Sequence, residues 1–382
     1  MNVILEFKSP FIVGGHKRAN NFIESIDYIP GSVMRAAFAK FIVYNCPLSE
    51  NFYDELAKRY YWVRYRGEKE CENCKYSNIC KNFEKIRFSF FYPQGSKPNP
   101  FSNMLCKNYE EHGFQDVLLP PENKEGEKTI GCPKCPPGNN RLEKYTGLIK
   151  DGKPYKVTRK TYTRTAINYS TRAVLYGSLF SLVAVAKTDD RGLYYEGKIE
   201  GITKEDLDCI SEIRIGKYTS VGFGIARLLV SDDKKEENRE KTLKKLRDFS
   251  DRYKQGKDRD ANGSFLALYF RSNVLFKADS VTNKYMETEE YAQVLKRSLK
   301  IPNEFEIEEI FSQFGIYRGF DTSYEKPQRK ETFLTAPAGT VLVLKSSLEP
   351  EKIYEILSQV NGFGEKCQDG YGEFEFYFGG MV

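Results

Sequence analysis

The sequence predicts an α+β chain of two related units of β-α-β-β-α-β type, with a cysteine-rich insertion in the first. Three observations carry this. Glycines recur with one spacing, six and then two residues apart: Gly216, Gly222 and Gly224 in one half, Gly364, Gly370 and Gly372 in the other. Ahead of each set lie an apolar run, after Gly177-Ser178 (LFSLVAV) or Gly339-Thr340 (VLVLK), and a helix-like stretch, 203–213 or 352–360. Shared elements in one order point to duplication, with antiparallel sheets backed by helices. Finally, 382 residues leave room for two such units and an insertion.

Taken in order, the chain opens on a strand-like run at 3–13, then a loop holding Gly14, Gly15, His16, Lys17 and Arg18. Pro30-Gly31 make a turn, Ser32 reads as an N-cap, and 33–44 as a buried helix. From 46 to 161 periodicity is lost among Pro-Gly punctuation, the pattern of an irregular insertion that a metal must hold together. Order returns at Tyr162, with an apolar strand after Gly177, a short helix at 203–213, the first glycine loop and the strand IARLLV. The stretch 231–260 is dense in both signs of charge, with Leu243, Leu246, Phe249 and Tyr253 at helical spacing. It reads as a charged, solvated helical linker. A strand pattern restarts at 264–276 and a helix follows at 287–299. The expected domains are therefore 1–230, with the insertion at about 46–161, and 261–382, joined by the 231–260 linker.

Composition narrows the class. A content of 40% hydrophobic and 14% aromatic residues excludes wholesale disorder. The longest apolar run, from Val174 to Ala186, is short of a membrane span and already carries Gly177 and Ser178. Glu6 and Lys8 interrupt the first apolar stretch, which therefore does not read as a signal peptide. A soluble, cytoplasmic protein with no membrane partner is expected. The net charge of +6 is too small to identify a nucleic-acid partner.

Of nine cysteines, Cys71, Cys74, Cys80, Cys106, Cys132 and Cys135 cluster in the insertion, which points to metal in a reducing compartment. Cys71-x-x-Cys74 and Cys132-x-x-Cys135 each supply one edge of a tetrahedron, and together could make one four-thiolate zinc site. Alternatively Cys80 joins the first pair and Cys106 the second, with His112 as a fourth ligand. Structural zinc is the expected cofactor, since an iron–sulfur cluster would need an electron-transfer role that nothing here suggests. Cys46, Cys209 and Cys367 read as ordinary residues.

The loop GKYTSVGFG can bring bare backbone close to a phosphate chain, and Lys217, Tyr218, Thr219 and Ser220 add a cation, a ring and two hydroxyls. The plainer reading is a tight hairpin whose glycines serve geometry alone. Neither loop is GxGxxG, and each precedes a strand, which excludes a dinucleotide fingerprint. Arg159, Lys160, Arg164 and Arg172 interleave with Tyr155, Tyr162 and Tyr169, a mixture that suits RNA. His16 beside Lys17 and Arg18 could take a proton from a ribose hydroxyl, or merely flank a phosphate-binding patch.

IPGSVMRAAFA at 29–39, RTAINYSTRAVLYGSLFS at 164–181 and the two glycine loops resemble the RAMP superfamily of CRISPR-associated proteins. Within it the chain is most similar to the large two-unit subunit of type III-D effector complexes. That subunit also has a cysteine-bearing insertion, a CK…HG..D.L pattern (here Cys106-Lys107, His112-Gly113, Asp116 and Leu118) and an ending like APAGTVLVL…GFGEKCQDGYGEFE. The likeness spans most of the chain outside the insertion and linker. It implies two ferredoxin-like, RNA-recognition-type units holding a CRISPR RNA, with target RNA and other type III subunits as partners. The RNA-binding residues it implies are His16, Lys17, Arg18, Arg35, Arg164, Lys217, Tyr218, Thr219, Ser220, Gly222, Gly224, Lys366, Gly370 and Gly372. Backbone subunits of type III complexes cut target RNA with an aspartate before the IPGS helix, where this chain offers Asp27 and Glu24. The expected role is a non-catalytic RNA-binding subunit. The alternative is an endoribonuclease that processes CRISPR precursor RNA with His16 as its base.

Overall fold

Alternation of Val3, Leu5 and Phe7, all buried, with half-exposed Asn2, Ile4 and Glu6 makes Asn2–Phe7 a strand with one face turned to a core. The computed structural model describes residues 1–14, 17–19, 21–48, 53–55, 58–60, 63, 65–119, 131–188, 192–231, 238–256, 262–277, 288–321, 324–326 and 328–380. The chain is mixed α/β, with more sheet than helix, and forms two compact units.

The first unit comprises residues 1–95, 156–234 and 320–328. Asn2–Phe7 lies at its centre, antiparallel to Leu193–Glu200 on one side and to Ile225–Ser231 on the other. The far edge of Leu193–Glu200 takes the short strand Arg87–Phe88. In chain order these are a first strand, the helix Gly31–Asn45, a second and third strand, the helix Lys204–Asp208 and a fourth strand. Their order in space is fourth, first, third, second. Two local expectations change. The helix starts at Gly31 with Pro30 at its cap, so Ser32 is already inside the first turn. The helix expected over 203–213 ends at Asp208, although Thr203 and Asp206 form a reciprocal capping box.

The second unit comprises residues 96–155, 235–319 and 329–382. Its strands Ser264–Phe270, Phe305–Phe311, Val341–Ser346 and Phe374–Tyr377 have the same spatial order, fourth, first, third, second. The helices Thr288–Leu299 and Pro350–Ser358 occupy the matching places in the chain. Ser264–Phe270 is apolar on both faces because both are covered. Leu266, Leu268 and Phe270 pack with Leu295, Ile353 and Leu357 of the two helices. Phe265, Ala267 and Tyr269 pack with Phe249 and Tyr253.

Phe249 and Tyr253 belong to the helix Arg239–Gly256, the stretch expected to be a solvated linker. It is instead a helix with one solvated face, and burying its two rings contributes about 1.5–3 kcal/mol each. The insertion is also divided differently. Its part at 46–95 lies in the first unit, whereas 96–155 packs in the second. There it forms two three-stranded sheets, tied to the core where Tyr269 donates to the Pro98 carbonyl at 2.5 Å and Tyr377 to the Asp116 carboxylate.

The two units share one strand order, but one expected correspondence between them changes. The apolar run after Gly177 forms Phe180–Val185, which pairs with Arg159–Arg164 and Phe22–Glu24 outside the central sheet. Its counterpart is Phe333–Ala336, since Phe11 bridges Val185 as Val274 pairs with Ala336. The strand after Gly339 corresponds to Leu193–Glu200. The two apolar runs look alike in sequence, but one strand of slip separates them.

Candidate nucleic-acid interface and metal centre

Each glycine loop enters the fourth strand of its unit, and the two have one backbone design. In the first, the Ile215 amide donates to the Gly224 carbonyl at 2.8 Å, Lys217 to Ile12 at 2.8 Å, and Gly224 to Pro10 at 2.8 Å. In the second, Phe363 donates to Gly372 at 3.1 Å, Glu365 to Leu275 at 2.7 Å, and Gly372 to Asn273 at 2.9 Å. Between the glycines a 3-10 turn runs over Thr219–Val221 or Cys367–Asp369, flanked by left-handed residues: Tyr218 and Gly222, Lys366 and Gly370. Only glycine fits at 224 and 372, because a Cβ there would lie 1.9 Å from the carbonyl oxygen of Ile215 or Phe363. The glycines thus serve hairpin geometry, and a ligand role must come from what each loop exposes.

There the loops diverge. Lys217, Ser220 and Gly222 of the first are exposed, Tyr218 is half-buried and Thr219 is buried. Thr219 is held by Lys40, whose Nζ donates to its hydroxyl at 3.2 Å, and by Arg214, which donates to its carbonyl at 3.3 Å. In the second, Gly370 and Gly372 are buried, and the Lys366 ammonium sits 5.0 Å and 4.9 Å from the ring centroids of Tyr317 and Phe333. Lys366 aligns with Tyr218, and Lys217 aligns with Glu365, itself paired with Lys300 at 2.8 Å. The first loop is open and cationic; the second is covered and carries acid.

Beside the first loop, Phe223 packs edge-on against Tyr162 at 5.1 Å, which seats the loop on the strand Arg159–Arg164. Lys160 and Arg164 of that strand are exposed. Arg159 is engaged, contacting Glu24 at 3.5 Å and pairing closely with Asp27. Burial raises the Asp27 carboxyl above its usual range, against the pull of Arg159 and with the help of Glu24. The two acids offered as catalytic candidates therefore share one guanidinium. Arg35, also expected to face RNA, donates to the Phe83 and Ile86 carbonyls at 3.1 Å and 2.6 Å and lies over the rings of Phe83 and Phe88. It ties the first helix to the segment beneath it. His16 lies outside the described residues. Lys17 and Arg18 begin the strand Lys17–Ala19, with side chains outside that description.

In the second unit, Cys106 ends the strand Asn103–Cys106, His112 ends a 3-10 turn, and Cys132 and Cys135 flank a tight turn. His112 Nδ1 is 3.7 Å from Cys106 Sγ, 3.4 Å from Cys132 Sγ and 3.3 Å from Cys135 Sγ, and Cys106 Sγ is 3.6 Å from Cys135 Sγ. All four ligand atoms lie within 4.8 Å of one another, and the three thiols are buried. Burial works to raise the Cys106 thiol, but amide donors at Tyr109 and Asn108 and the neighbouring thiols bring it down to about 6. Burial and those neighbours push Cys135 up to about 11. Three thiols and one imidazole converging this closely are the donor set of a cluster that could hold a metal ion.

This cluster is the second of the two expected pairings, with His112 as its fourth member and none of Cys71, Cys74 or Cys80. Those three line a separate small cavity in the first unit together with Cys46, which the sequence did not single out. Burial, and then Cys46, Cys71 and Cys74, push the Cys80 thiol up to about 11.

No protein-family model and no curated protein matches the chain. Among solved structures it is similar to a chain in the Type III-B Cmr-beta assembly bound to cognate target RNA, at 13% identity and TM-score 0.44, over 98% of this chain and 96% of that one. It is similar to another in that assembly bound to target RNA and AMPPnP, at 13% identity and TM-score 0.42, over 94% and 90%. A third likeness, at 11% identity and TM-score 0.24 over 57% and 80%, is to the CRISPR endoribonuclease Cse3 bound to a 19 nt RNA. None of these three is a type III-D subunit.

Proposed function

We propose that this chain is an RNA-binding structural subunit of a CRISPR type III interference complex, built on two ferredoxin-like units. The core of one is drawn from 2–231 without 96–155 and that of the other from 264–377, each with its strands in fourth-first-third-second order. The single observation that carries the RNA reading is the first glycine loop. It keeps the backbone of its buried twin, yet exposes Lys217, Ser220 and Gly222 next to Lys160 and Arg164. An exposed backbone with cations at its edge suits a phosphate chain without demanding a base sequence. The RAMP resemblance supplies the partner, a CRISPR RNA, and the surrounding assembly of type III subunits. Zinc at Cys106, His112, Cys132 and Cys135 has a structural part. A tetrahedral ion with bonds of about 2.3 Å to sulfur and 2.0–2.1 Å to nitrogen separates sulfurs by about 3.8 Å and sulfur from nitrogen by about 3.6 Å. The three sulfur–nitrogen distances and the Cys106–Cys135 separation sit close to those edges, and the four atoms all lie within 4.8 Å.

Fluorescence anisotropy with single-stranded RNA over a salt series tests the reading. Lys217→Ala and Arg164→Ala should each weaken binding and make the log–log salt slope shallower by about 0.7 for each phosphate no longer neutralised. Unchanged affinity and slope in both variants would leave the loop a plain turn. A repeat-specific product made by the wild type and absent with His16→Ala would favour the processing nuclease instead.

A further inference from the structure

We propose that Cys46, Cys71, Cys74 and Cys80 form a second metal site, separate from the Cys106–His112–Cys132–Cys135 cluster, that takes one zinc ion on four thiolates. Three local elements bring these residues together. Cys46 terminates the helix Gly31–Asn45, Cys71 lies in Lys69–Glu72, Cys74 follows in the next turn, and Cys80 lies in Ser77–Asn82. All four line one cavity of about 20 Å³. That is room for about one water-sized body, and so for one ion. Its remaining wall is mostly apolar, with Ile42, Leu48 and Tyr76. Glu70 and Arg66 also line it, but four soft sulfurs around so small a space select a thiophilic metal over calcium or magnesium.

The local fold makes the same demand. Lys69–Glu72 buries no residue, and Ser77–Asn82 buries only Ile79. Helices of four and six residues do not persist on backbone hydrogen bonds alone, and beyond Ile79 the segment is held by buried Tyr76, edge-on to Phe41 at 5.2 Å, and by Asn78, which donates to the Asp206 carboxylate at 2.7 Å. Backbone bonds knit the turn itself, Cys74 to Cys71 at 3.3 Å and Ser77 to Cys74 at 2.9 Å. Among these contacts only the Tyr76–Phe41 ring pair joins it to the first helix, and it leaves Cys46 itself untied. An ion bridging Cys46 to the other three would tie it. Unlike the second-unit cluster, these thiols stand around a space, and metal would draw them in.

The test is made on full-length protein purified under reducing conditions. Elemental analysis should find two zinc per chain. Cys46→Ser should lower this to one, Cys132→Ser should also lower it to one, and the double variant should hold none. Should Cys46→Ser fail to fold, X-ray absorption on the wild type decides: two sites average 3.5 sulfurs and 0.5 nitrogen per zinc, against three and one for the second-unit cluster alone. One zinc in the wild type, or two zinc in folded Cys46→Ser, overturns the proposal. So does a metal-free first unit with Cys46 in a disulfide. RNA binding is not a readout here, so this proposal and the RNA reading fail independently.

Discussion

Comparing Gly224→Ala with Gly222→Ala separates the geometric role of the first loop from its exposed face. Both glycines have positive φ, 73° and 93°, so each alanine carries the left-handed penalty of about 1–2 kcal/mol. At 222 nothing lies within 4 Å of the new Cβ, and the cost ends there. At 224 the Cβ would sit 1.9 Å from the Ile215 carbonyl oxygen. Relief means moving a backbone knitted by the Ile215–Gly224 and Gly224–Pro10 hydrogen bonds. Loosening both adds about 1 kcal/mol each, for a total of about 3–4 kcal/mol. With about 2–4 °C of melting temperature per kcal/mol, Gly222→Ala should lower the first unit's transition by about 2–8 °C and Gly224→Ala by about 6–16 °C. Scanning calorimetry reads both, with the second unit's transition as internal reference. The added methyl at 222 faces solvent, so the milder variant should still weaken RNA binding. Equal melting shifts for the two variants would refute the steric argument.

Three further outcomes follow from the same structure. Phe249→Ala should cost about 3–5 kcal/mol in urea unfolding, because its ring fills the sheet's second face; a solvated linker would lose almost nothing. His112→Ala should release one zinc and raise hydrogen exchange over 103–144 while the first unit's sheet stays protected. Arg159→Ala should destabilise the chain more at neutral pH than near pH 4. The Asp27 carboxyl is raised in the folded state, so its contribution is present below the ordinary carboxylate value and lost as pH rises through the raised one. Without Arg159 the ionised form loses its partner, and the deficit should shrink on acidification; a pH-independent deficit would sink this account.

What could be read from residues alone was whatever local chemistry decides. Spacing found both glycine hairpins, because only glycine satisfies the close approaches at 224 and 372. It also marked Cys132 and Cys135 as a pair with Cys106 and His112 offered beside them, and the fold brings these four together. Strand pairing was not legible, since LFSLVAV and VLVLK are equally apolar and only register tells them apart. Nor was the burial of Phe249 and Tyr253, which depends on a sheet face formed elsewhere in the chain. Lys366 has the look of a phosphate ligand in sequence, but in the fold it lies over the rings of Tyr317 and Phe333. Cys46, read as ordinary, lines a cavity with Cys71, Cys74 and Cys80 although they lie more than twenty residues away and share no motif with it.

The most direct test of the RNA-binding claim is ultraviolet cross-linking of the full chain to its co-purifying or added single-stranded RNA, followed by mass spectrometry of the peptides. The account predicts adducts on the segment 215–224, at Tyr218 or beside it, and on the strand Arg159–Arg164. It predicts none on 363–372, where the matching backbone is covered. Adducts confined to the second loop, or none on either segment at RNA concentrations that saturate binding, would contradict it.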